Sequence, residues 1–156
     1  MDLSRFSRVS LARLPTPIEP LPRLSAHLGG PQLYVKRDDC TGLGLGGNKL
    51  RKLEFLLGEA RVQGADTVLT VGAMQSNHAR QTAAACARLG LDCELILRRG
   101  GHATEAYLHG GNVLLDRLFG AHIHVIEAHE SREAFMEVRA EALRGESRRP
   151  YCIPVG

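Results

Sequence analysis

The chain has 156 residues, 44% of them apolar, and a formal net charge of only +3, which is enough length and composition for a domain with a real core. Aromatics make up 4% with no Trp, so platforms for stacking nucleic-acid bases have no support, and no apolar run approaches the ~18 residues of a membrane-spanning helix. Cys40, Cys86, Cys93 and Cys152 form no C-x-x-C pair, so neither a zinc ribbon nor a redox motif is indicated, and the reduced thiols of a cytoplasmic protein are expected.

The first residues, "MDLSRFSRVSLAR", lack the apolar core of a secretory signal; their Arg- and Ser-rich, acid-poor composition looks only weakly like a mitochondrial presequence. "LPTPIEPLP" (14–22) carries four prolines and must run extended. A short strand is predicted at Leu33–Lys36, then a glycine-rich loop, then a helix from about Asn48 to Gln63, stopped by Gly64. From there strand and helix alternate. Strands are predicted at Thr67–Val71, Cys93–Leu97, His122–Ile126 and Tyr151–Val155. Helices are predicted at Ser76–Leu89 and Ser131–Leu143, with a helix broken at Gly110-Gly111 in "TEAYLHGGNVLLDRLFG". Such alternation with short loops implies an α/β fold, a parallel sheet covered by helices.

The glycine loop, "GLGLGGNKLRKLEF" from Gly42, fits two nucleotide motifs badly. Gly42, Gly44 and Gly47 match G-x-G-x-x-G, but the next strand runs into Gly72-Ala73-Met74 without the acid that would hold a ribose. A P-loop would need G-K-[ST], whereas Asn48 separates Gly47 from Lys49 and Leu50 follows. Three cations, Lys49, Arg51 and Lys52, open the helix ahead of its first acid, Glu54, against the sign that a helix N-terminus favours. At about 100° per residue, Leu50, Leu53, Leu56, Leu57 and Ala60 share one arc with Lys49 at its edge, while Arg51, Glu54 and Arg61 fall on the opposite, solvated side. Two readings of Lys49 stay open on this geometry. One is a covered amine whose pKa is lowered by burial and the helix dipole, suited to Schiff-base chemistry. The other is a surface lysine whose stem covers apolar neighbours.

Ligands of parallel α/β sheets sit beyond the C-terminal ends of strands, which directs attention to "GAMQSNHARQ" after Val71. Gln75, Ser76, Asn77 and His78 are packed into a helix start there. Ser76 can cap the helix, and the free N–H groups beside it can hold a carboxylate or phosphate; a plain cap with solvated first-turn residues is the alternative. His122 and His124 alternate on one strand, with His102, His109 and His129 nearby in sequence, but no carboxylate or cysteine recurs at ligand spacing, so no metal site is expected.

"KRDDCTGLGLGGNKLRKLEFL", "GADTVLTVGAMQSNHARQTAAACARLGLDC", "GNVLLDRLFGA" and "PYCIPVG" resemble the pyridoxal-phosphate (PLP) enzymes that include D-cysteine desulfhydrase, L-cysteate sulfo-lyase and 1-aminocyclopropane-1-carboxylate deaminase. The resemblance runs from about Leu14 to Gly156 and implies the tryptophan-synthase-β-like fold with PLP as cofactor. It implies that Lys49 joins the cofactor covalently, beside Asn48, and that Asn77 bonds the cofactor's phenolic oxygen. Ser76, with the N–H groups of Asn77 and His78, would hold the carboxylate of a small amino-acid substrate, and the glycines would let the backbone approach a flat cofactor. "RDDCTGL" resembles the desulfhydrase and sulfo-lyase branch, which implies β-elimination from a cysteine-like acid; the deaminase reaction, or a non-catalytic interaction module, is the alternative. The family runs to about twice this length. The resemblance therefore implies an N-terminal piece of a large PLP domain (1–51), a small α/β domain (52–150), the start of a return to the large domain (151–156), and a C-terminal half not present here. It also implies a homodimer of the intact protein and little catalysis by this chain alone.

Overall fold

The computed structural model describes residues 2–101 and 104–154; His102 and Val155, both named above, lie outside them. A short strand β1 (Ile18–Pro20) pairs antiparallel with β2 (Tyr34–Lys36), and helix α1 (Pro22–Leu28) lies between them. The extended segment therefore ends sooner than its prolines suggest. Pro22 sits at the first helical position, where its missing N–H has no helical acceptor to serve. Two single-turn 3-10 segments, Asp38–Thr41 and Leu43–Leu45, lead into α2 (Lys49–Val62).

The rest is the expected alternation: β3 (Thr67–Ala73), α3 (Asn77–Leu89), β4 (Asp92–Arg98), α4 (Glu105–His109), α5 (Gly111–Leu118), β5 (His122–Ile126), α6 (Arg132–Gly145) and β6 (Pro150–Ile153). The four strands β3 to β6 form a wholly parallel sheet in the order β5-β4-β3-β6. Successive strand residues point to opposite faces, and the core divides accordingly. Val68, Leu95 and Leu97 face one cluster with Leu50, Leu53 and Leu57 of α2 and Ala79, Ala83 and Cys86 of α3. Leu69, Val71 and Ile96 face the other, with Met136, Ala140 and Leu143 of α6. After β5 the chain crosses by α6 to the far side of β3, so strand order reverses between β3 and β6. That reversal opens a crevice at the C-terminal ends of these two strands.

One expectation for α2 is overturned. Glu54, placed on the solvated side, is fully buried. The N-terminal segment crosses that side of the helix as a strap: Leu11 N and Ala12 N donate to Glu54 Oε1 at 2.7 and 2.8 Å, Arg8 Nε to Oε2 at 2.7 Å, and Val9 N to the Glu54 carbonyl at 2.9 Å. Helical periodicity ranks the faces of one helix and carries no information about a distant segment that later covers the polar one. The strap needs Gly58 beneath it, since a Cβ there would stand 2.4 Å from the Ser7 carbonyl oxygen.

Candidate active site

Lys49 is the first residue of α2 and is half-buried. Lys52, one helical turn on, lies on the same side. Neither lysine has a carboxylate partner among the described residues, and burial first, then the charge of Lys49, pulls the Lys52 ammonium below its ordinary pKa. Asn48 occupies the cap position of α2, exposed, and its carboxamide does not bond the helix.

Across from these cations stands the start of α3. Ser76 caps it as expected, its Oγ accepting from Ala79 N at 3.2 Å. That bond uses an oxygen lone pair and leaves the hydroxyl proton free for an acceptor, so cap and ligand donor are compatible roles. Asn77 and His78 supply the first two amides of the helix, which have no intrahelical acceptor; the Asn77 side chain is exposed.

His78 departs from the solvated residue that the plain-cap reading allows. It is 5% exposed, and its Nε2 lies 3.0 Å from Thr70 Oγ1 on β3. Thr70 gives its own proton to the Ile153 carbonyl of β6 at 3.0 Å. The ring must therefore be the donor to Thr70, which fixes the Nε2–H tautomer and leaves Nδ1 a buried acceptor without a partner. Burial first, then the charges of Lys52 and Lys49, hold the His78 pKa down to about 4, so the ring is neutral at pH 7. The same interaction shows that both lysines lie within electrostatic reach of the α3 N-terminus.

Two readings from sequence shift. Gln75, grouped with the ligand-facing residues, instead ties the β3–α3 turn to the junction of α4 and α5. Its Nε2 donates to the carbonyls of Tyr107 at 2.6 Å and Gly110 at 3.0 Å, and its Oε1 accepts from Asn112 N at 2.8 Å. The loop glycines approach helix α3: a Cβ on Gly44 would stand 2.6 Å from Ala84 Cβ, and one on Gly47 would stand 2.4 Å from Gln81 Nε2. Close approach to α3 is thus one role of Gly44 and Gly47. Of the histidines, His124 joins a part-buried network, its Nε2 2.8 Å from Glu94 Oε2, which also accepts from Arg139 Nε at 2.8 Å. Lys52 was noted from sequence only as one of three cations at the helix start, and Thr70 and the burial of His78 were not singled out. The three-residue spacing of Lys52 from Lys49, and a threonine inside an apolar strand, were the available signals.

Two unpaired ammonium groups, a free hydroxyl proton and two free helix amides around one strand-end crevice form a donor set without an anionic partner. It fits a ligand that carries phosphate and carboxylate groups and a carbonyl for an amine to attack, as PLP with an amino-acid substrate does. A parallel sheet with a lysine-bearing helix start near a second helix N-terminus is the arrangement that a cofactor-dependent enzyme would use. The chain belongs to the pyridoxal-phosphate dependent enzyme family, whose sequence pattern matches residues 9–156.

Among curated relatives, the D-cysteine desulfhydrases of Salmonella paratyphi B and Salmonella newport are 50% identical over 155 residues, covering 99% of this chain and 47% of theirs. The crystal structure of an ACC deaminase homologue superposes with a TM-score of 0.87 at 48% identity, over 97% of this chain and 45% of that one. O-ureido-L-serine synthase, at 19% identity and a TM-score of 0.64 over 91% of this chain and 42% of its own, shares the fold. The chain thus spans a little under half the length of these relatives. No described helix is long and apolar enough to cross a membrane.

Proposed function

We propose that this chain carries the lysine-bearing part of a PLP-dependent carbon–sulfur lyase acting on a small cysteine-like amino acid by β-elimination, of the D-cysteine desulfhydrase or L-cysteate sulfo-lyase type. The observation that carries the reading is the pair Lys49 and Lys52, unpaired and facing the capped start of α3. The cofactor, when bound, supplies the electron sink for the carbanion formed at the substrate α-carbon. Lys49 Nζ is the point of covalent attachment and, once free, the base that receives the α-proton. The Ser76 hydroxyl and the N–H groups of Asn77 and His78 receive the substrate carboxylate. Asn77 and Asn48 bind the cofactor. Neutral His78 adds no third positive charge beside the lysines, and its bond to Thr70 holds the helix start in register with the sheet.

On this reading residues 1–51 belong to a large PLP domain, 52–150 form a small domain, and 151–156 return toward the large one; the first boundary falls in the first turn of α2. A homodimer in the cytoplasm completes the reading. A second reaction class, 1-aminocyclopropane-1-carboxylate deamination, is favoured by the likeness to the ACC deaminase homologue.

Borohydride reduction of the chain joined to the C-terminal half of a Salmonella relative, with PLP, followed by peptide mapping, should place the pyridoxyl group on Lys49; an adduct on Lys36 or Lys52 instead overturns the assignment. The substrate class is read by joining this chain to the C-terminal half of a Salmonella relative. Pyruvate with sulfide from D-cysteine, or with sulfite from L-cysteate, supports the lyase; ammonia from 1-aminocyclopropane-1-carboxylate alone supports the deaminase. The chain by itself is expected to give no multiple turnover. Losing three charge-assisted bonds to the cofactor phosphate at ~2 kcal/mol each costs about 6 kcal/mol, roughly ten-thousandfold in affinity.

A further inference from the structure

The loop that delivers Lys49 has an uncommon backbone. Gly44, Leu45, Gly46 and Gly47 all have positive φ, at 59°, 65°, 73° and 134°. Leu45 is not a glycine, and its side chain is 73% exposed, so no packing of its own holds it left-handed. Such a conformation costs of order 1 kcal/mol for an L-residue and persists only where the surroundings over-determine it.

The surroundings come from helix α3. Arg80, 8% exposed, donates from Nη1 to the Gly44 carbonyl and from Nη2 to the Gly46 carbonyl at 3.2 Å. Its planar fork thus spans the two carbonyls that bracket Leu45. Gln81 presses its amide against Gly47. From below, Thr41 Oγ1 accepts from Gly47 N at 2.8 Å. Beyond Arg80 lies Asp116 of α5, fully buried, with both carboxylate oxygens unpartnered, and Arg80 Nε–H is likewise unpartnered. Each group's charge acts on the other. Neither is near enough to solvent to find a counter-ion there, and a buried charge left alone is costly.

We infer that Arg80 is a positioning residue that holds the left-handed glycine loop onto helix α3 and so fixes where Lys49 stands. This rests on the reading of Lys49 as the cofactor's lysine. Arg80 is four residues after Ser76 on one helix, so a single rigid element orients both the carboxylate site and the loop that carries the amine. A lysine in its place would keep the charge but could not reach both carbonyls in one plane.

The test uses wild type, Arg80→Ala and Arg80→Lys. Two quantities are measured: amide hydrogen exchange of peptides covering 42–48 in the chain as it stands, and, in the chain joined to the C-terminal half of a Salmonella relative, the distribution of the borohydride-trapped pyridoxyl adduct between Lys49 and Lys52. In Arg80→Ala the amides of Gly46 and Gly47 should exchange at least tenfold faster while β3 and β4 stay protected, and the preference for Lys49 over Lys52 should fall at least threefold. Arg80→Lys should fall between, and it serves if the alanine variant does not fold. Loop exchange within twofold of wild type in the folded variants overturns the clamp. So does a uniform loss of protection across sheet and loop, which would mark Arg80 as a core residue only. Loop release with no Lys49 adduct in the joined wild-type protein would instead sink the cofactor reading and leave the clamp standing.

Discussion

Glu54→Ala removes the carboxylate that fastens the N-terminal strap to α2, and its cost follows from the geometry. Two backbone amides donate to Oε1 at 2.7 and 2.8 Å, with the acceptor fully buried. At ~1.5–2 kcal/mol for each bond to a charged group, they contribute about 3–4 kcal/mol. Arg8 is 46% exposed in its side chain, so its ion pair adds no more than a few tenths to ~1 kcal/mol. Alanine also relieves the burial of a carboxylate, which offsets about 1 kcal/mol, leaving a net loss of roughly 2–4 kcal/mol. With a urea slope of ~2 kcal/mol per molar, the midpoint at pH 7 should fall by about 1–2 M. The bonds from Ala12, Leu11 and Arg8 together outweigh the opposing effect of burial, the largest single influence, and hold the Glu54 pKa below its ordinary 4.5. A depressed carboxyl stabilises the fold above its unfolded pKa and loses that contribution as pH falls through the folded value. The wild-type advantage over Glu54→Ala should therefore be full at pH 7 and shrink below about pH 4.5. Urea titrations at pH 7 and pH 3.5, with hydrogen exchange of residues 7–12, decide the matter. A midpoint shift under about 0.3 M with the strap amides still protected would refute the reasoning.

Gly58→Ala should displace the same strap from the other side of the contact. The new methyl would meet Ser7 and Arg8 backbone atoms, the nearest at 2.4 Å, and the expected result is faster exchange across 7–12 with a loss of about 1–3 kcal/mol in urea. Ser76→Ala should cost about 1 kcal/mol as a lost cap and, in the protein joined to a relative's C-terminal half, at least roughly tenfold in turnover, as one bond to a charged group is worth; unchanged kinetics would reduce Ser76 to a cap. His78 is held near 4 against an ordinary 6.5, so between these values the unfolded chain binds the extra proton and stability rises with pH. His78→Gln should flatten that rise by about 3 kcal/mol across the window. Asp116, pushed up to about 7 by burial, slopes the opposite way in both proteins and cancels in the comparison; parallel pH profiles would contradict the assignment.

Much of this molecule was legible because its elements are strongly marked. Gly64 and Gly90 stop α2 and α3 near the expected ends, and the glycine pair at 110–111 breaks the following helix into α4 and α5. The parallel order follows from alternation alone, and the family motif singled out Lys49, Asn48, Ser76, Asn77 and His78. What stayed hidden depended on segments far apart in sequence. Glu54 reads as a surface acid until residues 8–12 lie over it. His78 reads as a first-turn residue until β6 brings the Ile153 carbonyl to Thr70 and leaves the imidazole one place to go. Asp116 sits in "LLDRL" as an ordinary helical polar residue, and only the packing of α5 on α3 shows that it is buried. In α1 the signal was present and misread, because Pro22 was counted as a fourth breaker when it starts a helix.

The place of β6 in the sheet has a consequence for assembly. Thr67 is in register with Pro150, so the edge of β3 that lines the crevice waits for a segment synthesised long after β4 and β5 have docked on the other side. Closing so long a loop adds only a modest entropic cost, but the delay is real during synthesis. A nascent chain with β3 through β5 in place already has its capped α3, yet Thr70 has no Ile153 carbonyl to bond and the His78 tautomer is unset. The strand that closes the sheet also brings the Ile153 carbonyl to Thr70, so the bond that fixes the His78 tautomer forms only once β6 has paired. The exposed β3 edge is then the part of a half-made molecule most open to pairing with a neighbouring chain.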